Sequence, residues 1–167
     1  KNIKFIGGHP LAGSEKKGVV FACPDMFVKS LCILTPTKKT DLLAFKKIKT
    51  LWQKLGADIK ILSPLEHDKI LAFVSHLPHF ISFSLIQSVP DKFLKFAPQG
   101  LKDMTRIASS DPIIWRDIFS ENKKQLLSSI DKFETTLKKI RKLIRSSNGA
   151  KLVKVLADIK NKRDNLK

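Results

Sequence analysis

Four histidines carry most of the chemistry open to this chain. His9 follows Gly7-Gly8 at the end of a short apolar run. Open α/β sheets gather ligands at strand ends, and glycines there let the backbone approach a bound group closely. A turn histidine bonded to backbone is the competing reading. His76 and His79, in Ser75-His76-Leu77-Pro78-His79, stand three apart and share a helix face. Such a pair can bind metal, yet no acidic or cysteine third ligand has a matching spacing, so no metal site is expected. His67, in a first helical turn behind Glu66, reads as structural. Arg106, in Thr105-Arg106-Ile107-Ala108, suits a two-bond carboxylate clamp or a surface ion pair. Trp115 reads more readily as core than as a cofactor contact.

The elements that must position these side chains fall into two groups. Ile3–Gly7 has the composition of a strand that stops at a sharp Gly7-Gly8 turn. Leu31–Thr35 is a second strand, closed by Pro36. Thr40 or Asp41 caps a helix whose apolar positions Leu42, Leu43, Phe45, Ile48, Leu51, Trp52 and Leu55 recur at helical spacing; Gly56 ends it, and Asp58–Leu62 is a third strand. Strand, helix, strand suits an α/β sheet, and one helix covers such a sheet poorly, so the sheet is expected to continue in residues not given. From Ser63 the pattern is helical only. Ser63-Pro64-Leu65-Glu66 is a capping box with proline at the first helical position. That helix should reach about Ser88, kinked by Pro78. Asp91–Asp111 is mixed. Ser110-Asp111-Pro112 opens a second long helix, ending near Ser146, with Leu126, Ile130, Phe133, Leu137, Ile140 and Ile144 four and three apart as in a coiled-coil seam. Such a helix would span about 50 Å, which favours helix–helix dimer packing. Asn148-Gly149 breaks it before a final helix, Ala150–Lys162.

The expected class is therefore α+β: residues 1–62 as the remnant of an α/β sheet and 63–167 as an all-helical domain suited to dimerisation. With 43% apolar residues the chain can bury a core. No unbroken apolar run nears the roughly 18–20 residues of a membrane span, and the opening residues lack a secretory pattern, so no membrane partner is expected. They also lack a Met and begin almost inside a strand, as a cut chain would. Cys23 and Cys32 form no metal or disulfide framework, which fits a reducing cytoplasm. The formal charge of +17 admits nucleic acid, an anionic surface or acidic small molecules. From Glu121 to Lys167 there are 14 Lys/Arg and 5 Asp/Glu, so about half the excess (14 − 5 = +9) lies on the terminal helices. There it reads as a solvated face, and a basic helical nucleic-acid-binding module is the reading of another class.

Taken together, the motifs resemble the prephenate dehydrogenase family. They are Gly7–Val19 (GGHPLAGSEKKGV), Leu34–Thr37 (LTPT), Glu66–Asp68 (EHD), Ser75–His79 (SHLPH) and Lys102–Phe119 (KDMTRIASSDPIIWRDIF), and the likeness fades after about Ser146. Ala97-Pro98-Gln99-Gly100 departs from it, standing where a more glycine-rich turn is expected. The resemblance implies NAD(P)-dependent oxidative decarboxylation of prephenate to 4-hydroxyphenylpyruvate, in tyrosine biosynthesis, with arogenate as the alternative substrate and tyrosine as a feedback ligand. It implies nucleotide binding for residues 1–62 and substrate binding for residues 63–167. It also implies that His9 takes the proton of the ring hydroxyl and that Arg106 holds a substrate carboxylate. Ser75, His76 and His79 would orient the substrate, with Lys102 and Asp103 shaping the adjoining loop. Trp115 would reach the site from the partner subunit of a homodimer, and positive residues in the cleft would gather a dianionic substrate. Gly7, Gly8 and Pro10 would lie against NAD or NADP. The glycine fingerprint for that cofactor, G-x-G-x-x-G, is absent from this sequence, so the chain alone is expected to be inactive.

Overall fold

A computed structural model of the chain describes residues 3–12 and 19–166. Its sheet has three strands, β1 (Gly7–Pro10), β2 (Leu31–Thr35) and β3 (Asp58–Ile61), in that spatial order. β2 and β3 are parallel, Leu31 opposite Asp58 and Leu34 opposite Ile61. Parallel neighbours need a crossover between them, and α1 (Leu42–Lys54) supplies it. Asp41 caps α1 by accepting from the Ala44 amide at 2.8 Å. Gly56 turns the chain out of the helix with φ +83°, where a side chain would be strained and would also press on Val28 at 3.2 Å. β2 is the buried centre: Cys32 and Leu34 join Ala57 in a core covered by Phe45, Ile48, Trp52 and Ile59.

β1 corrects the expectation for the first strand. It is Gly7–Pro10 rather than Ile3–Gly7, and it runs antiparallel to β2, with Gly7 opposite Thr35 and His9 opposite Ile33. Gly7-Gly8 therefore makes no turn, and His9 lies within the strand. The glycines supply room instead. A Cβ on Gly7 would fall 2.3 Å from Thr35 Oγ1, and one on Gly8 3.3 Å from the Leu34 side chain. Apolar composition favoured Ile3–Ile6, but Ile3 and Phe5 are 85% and 84% exposed; the ladder forms where the backbone can close on β2.

Beyond β3 every element is helical, as the sequence implied. The capping box is complete: Glu66 N–H donates to Ser63 Oγ at 3.2 Å and Ser63 N–H to Glu66 Oε2 at 2.8 Å. α2 (Pro64–Leu71) runs through a π turn (Ala72–His76) straight into α3 (Leu77–Ser88). Pro78 has no N–H to give, and the helix widens just before it, with Leu77 N–H donating to Ala72 O. The helical stretch Pro64–Ser88, 25 residues long, contains an 18-residue window of mean hydropathy 1.4, and so is by length and composition apolar enough to cross a membrane. Counting unbroken apolar residues missed it, because serine, histidine and proline interrupt the run without adding charge. A core helix of a soluble protein passes the same test.

Two short helices follow, α4 (Asp91–Leu94) and α5 (Gln99–Thr105), then a 3₁₀ turn at Arg106–Ser109. The single helix expected from Pro112 to Ser146 is two, α6 (Pro112–Glu121) and α7 (Lys123–Arg145). Asp111 caps α6, accepting from the Ile113 amide at 2.8 Å. The break is at Asn122, whose side chain is engaged far away in sequence: its amide donates to Asp68 O at 2.8 Å. α8 (Gly149–Asp164) is capped by Asn148, which accepts from Lys151 N–H at 3.0 Å. The chain divides into two compact units, Lys1–Leu126 and Leu127–Lys167, so the division falls inside α7.

Candidate active site

The motif histidines meet in the first unit. A cleft of about 490 Å³ is lined by His9 from β1, His67 and Asp68 from α2, Ser75 and His76 from the π turn, Trp115, Ile118 and Glu121 from α6, and Asn122. Each is brought there by a local device. The Ser63 cap sets where α2 begins and so where His67 and Asp68 stand. The extra residue of the π turn rotates Ser75 and His76 relative to a regular helix, a distortion that recurs at functional sites. Asp111 starts α6 and thereby places Trp115 one turn on.

Hydrogen bonds fix which nitrogens carry protons. His67 Nδ1 lies 2.9 Å from Asp68 Oδ1, and His67 Nε2 lies 2.9 Å from His9 Nδ1. Asn122 Nδ2 donates to the Asp68 carbonyl and lies 3.2 Å from His76 Nδ1. A carbonyl only accepts, so the amide nitrogen is on that side; His76 Nδ1 is then the acceptor, and neutral His76 keeps its proton on Nε2. His79 Nδ1 donates to Ser75 O at 3.0 Å, and its ring stacks on Trp115 with centroids 3.5 Å apart. His76 meets the same indole edge-on at 6.2 Å. Trp115 is 9% exposed: it is both core and cleft wall.

Desolvation holds His9, His76 and His79 below the ordinary imidazole range. The neighbouring His67 lowers His9 and His76 further; Asp68 opposes this at His76, and the Ser75 carbonyl opposes it at His79. A lowered pKa means the folded state binds fewer protons than the unfolded one once pH drops below roughly 6.5. The stability present above that pH is therefore lost as pH falls through the folded pKa values. Melting temperature should drop between about pH 6.5 and pH 5, before carboxylates titrate; a flat profile over that window would show that these rings are not desolvated together.

Of the residues expected at the site, His9, Ser75, His76 and Trp115 line the cleft. His79 stands behind it, positioning the indole. Lys102 and Asp103 lie on α5, where Asp103 Oδ1 accepts from Gln99 Nε2 at 2.7 Å, and Arg106 opens the 3₁₀ turn packed against α3. None of these three is in the lining. Trp115 lines the cleft of its own chain, and the charged side chains of the described lining are Asp68 and Glu121. The Gly13–Gly18 part of the first motif lies outside the described residues. His67, Asp68, Ile118, Glu121 and Asn122 were not anticipated at the site; His67 and Asp68 had left a signal in the Glu66-His67-Asp68 triplet and Ile118 in the Lys102–Phe119 motif. Among the described residues no group of His, Cys, Asp and Glu is placed to hold a metal ion.

A small mixed sheet followed by helices alone, with a polar cleft lined from both, defines an α+β protein whose helical half completes a site begun at a sheet edge. Comparison with known proteins narrows that class. Residues 1–61 match the family model described as prephenate dehydrogenase, nucleotide-binding domain, and residues 63–158 the one described as prephenate dehydrogenase, dimerization domain. The chain belongs to the prephenate dehydrogenase family. It is 37% identical over 169 residues to the prephenate dehydrogenase of Bacillus subtilis, covering 98% of this chain and 46% of that protein. The crystal structure of prephenate dehydrogenase from A. aeolicus in complex with hydroxyphenyl propionate and NAD+ is similar with a TM-score of 0.91 at 41% identity, covering 98% of this chain and 59% of that one. That of Synechocystis arogenate dehydrogenase gives 0.83 at 30% identity, covering 96% and 60%. The chain spans about half the length of the curated relatives it matches.

Toward a dinucleotide the described residues do not fit on their own. The space that Gly7 and Gly8 leave is taken by Thr35, Leu34 and Trp52 of this same chain, so it is no cradle for a phosphate. Among the described residues no glycine-rich loop joins a strand to a helix N-terminus, the usual pyrophosphate site. No step below is routed through the cofactor.

Proposed function

We propose that this chain serves the NAD(P)-dependent oxidative decarboxylation of prephenate to 4-hydroxyphenylpyruvate, supplying the substrate cleft and the dimer interface. The observation that supports this best is His9: an imidazole on a sheet edge, lining a cleft with other ring nitrogens, with its charged form disfavoured by desolvation and by the neighbouring His67. The reaction needs a group to take the ring-hydroxyl proton as the ring aromatises and CO2 departs. A neutral imidazole does this near pH 7, where a carboxylate is too weak a base and a lysine is already protonated. Ser75 and His76 would orient the substrate by hydrogen bonds, His79 would hold Trp115 against it, and Arg106, with Lys102 and Asp103 beside it, would supply the carboxylate clamp that the described lining lacks. Gly7, Gly8 and Pro10 would lie near the cofactor through the backbone of β1, without cradling its phosphates. A cytoplasmic location and feedback by tyrosine belong to the same reading. The likeness to an arogenate dehydrogenase at 30% identity supports arogenate as the second substrate to try; it carries an amino group where prephenate has a keto group.

The test is an assay of the full-length protein for NAD(P)H formation, with prephenate and arogenate offered separately against NAD and NADP, and with tyrosine added. Turnover of prephenate is expected. Absence of turnover with both substrates and both cofactors, in a folded protein, would overturn the reading.

The homodimer has its own check. α7 and α8 leave Leu137 and Ile144 54% and 63% exposed, among other apolar residues of their length, and burying such surface drives association. Leu137→Lys with Ile144→Lys should weaken the dimer by at least about tenfold, or about 1.4 kcal/mol, because two charges would enter an apolar contact. Both side chains are exposed in the single chain, so its own fold should survive. Sedimentation velocity reads the outcome, and an unchanged dimer would place the interface off this seam.

A further inference from the structure

We propose that His67 and Asp68 act as a positioning pair that holds the His9 ring with its proton on Nδ1, leaving the Nε2 lone pair as the one open to the cleft. The inference rests on the reading of His9 as proton acceptor, and adds what makes that imidazole present its basic nitrogen to a substrate.

The argument is a count of protons along three side chains. The Asp68 carboxylate accepts and cannot donate, so the hydrogen in its 2.9 Å contact belongs to His67 Nδ1. Neutral His67 then has a bare Nε2. That nitrogen lies 2.9 Å from His9 Nδ1, a distance that requires a hydrogen between them. The hydrogen is therefore on His9 Nδ1. A neutral imidazole has only one, so His9 Nε2 carries the lone pair. The rings stand at 58° with centroids 5.2 Å apart, which is a contact through ring edges and not a stack.

The pair is itself held. His67 N–H donates to Ser63 O at 3.0 Å within the capped first turn of α2, and the Asp68 carbonyl accepts from Asn122, the residue that breaks the α6–α7 run. Asn122 thus ties the end of α6 to the second half of α2, and this explains why the chain interrupts an otherwise continuous helical pattern there. When His9 Nε2 takes the hydroxyl proton, the ring becomes an imidazolium whose Nδ1–H still points at His67, with the Asp68 carboxylate beyond it. No further proton has to move. The titratable groups facing His9 in the cleft are His67, Asp68, His76 and Glu121. If His67 were protonated, its Nε2–H would donate to His9 Nδ1 and leave the His9 proton on Nε2, silencing the base.

The direct test is long-range ¹H–¹⁵N spectroscopy on the full-length protein labelled with ¹⁵N-histidine, with His9 assigned through His9→Asn. At the pH of full activity, His9 and His67 should both show a protonated Nδ1 and a bare Nε2. A His9 proton on Nε2 overturns the pair. Kinetics give the second arm. His67→Gln offers Oε1 as acceptor to His9 Nδ1–H and should keep kcat within a few-fold. His67→Leu offers none and should lower kcat by about ten- to a hundredfold, short of the roughly 10²–10⁴ that a general base supplies, with KM little changed. Equal losses in Gln and Leu, or none in Leu, also overturn it. The two readings fail separately: a His9→Asn enzyme with wild-type kcat removes the base itself, whereas an essential His9 protonated on Nε2 removes only the pair.

Discussion

Replacing Arg106 by alanine in the full-length enzyme should raise KM for prephenate by at least roughly thirtyfold and leave kcat within a few-fold, since truncating a charge-assisted pair costs about 2–5 kcal/mol. The reason lies in what the cleft does not contain. Prephenate carries two carboxylates, and the charged groups in the described lining are the carboxylates Asp68 and Glu121. A dianion placed there needs a cation, and binding it against two like charges without one would be unfavourable at any reasonable distance. Arg106 stands on the turn that packs against α3, the helix whose His79 supports Trp115. A guanidinium there could hold a carboxylate with two parallel bonds, which a lysine could not copy. A clamp of this kind acts on ground and transition states alike, so the loss appears in KM. Arg106→Lys should recover only part of it. Steady-state kinetics on the two variants decide the matter, and wild-type KM in Arg106→Ala would make Arg106 a surface ion-pairing residue.

Much of the fold was legible because local rules govern it. The Ser63–Glu66 box, the Asp41 cap, Gly56 and the β2–α1–β3 crossover each depend on residues a few positions apart, and each lies where the sequence puts it. The misreadings have long-range causes. Gly-Gly signals a turn and a close approach equally well, and only Thr35, across the sheet, selects the second at Gly7. The single helix read from Pro112 to Ser146 is broken at Asn122, whose side chain is held by Asp68 and His76, 54 and 46 residues away. His67 looked structural because its partner His9 is 58 residues distant. Motif resemblance named four of the cleft residues but left open how Lys102, Asp103 and Arg106 stand toward it, since a list of motifs does not say which face of α5 or its following turn looks inward.

The largest effect is expected at His9. In the full-length enzyme His9→Asn should lower kcat by about 10²–10⁴, the usual contribution of a positioned general base, while KM changes far less. Asparagine keeps a hydrogen bond to the substrate hydroxyl but cannot take its proton, so binding survives and chemistry does not. The pH profile provides an independent check with a definite sign. On the proposed reading of His9 as the neutral base, wild-type kcat should fall as pH drops through its pKa. Desolvation and the neighbouring His67 both push that pKa down, which puts the acidic limb below the roughly 6.5 of an unperturbed imidazole. His76 is lowered as well, but by hydrogen bonding its cleft nitrogen is a donor when neutral, so its protonation should alter binding more than proton transfer. The acidic limb of kcat should therefore vanish in His9→Asn, and any residual pH dependence should remain in KM. A variant that keeps both its kcat and its acidic limb would transfer the base to another ring, with His76 and His79 as the next candidates; the assignment of those two to orientation and support would then be reversed.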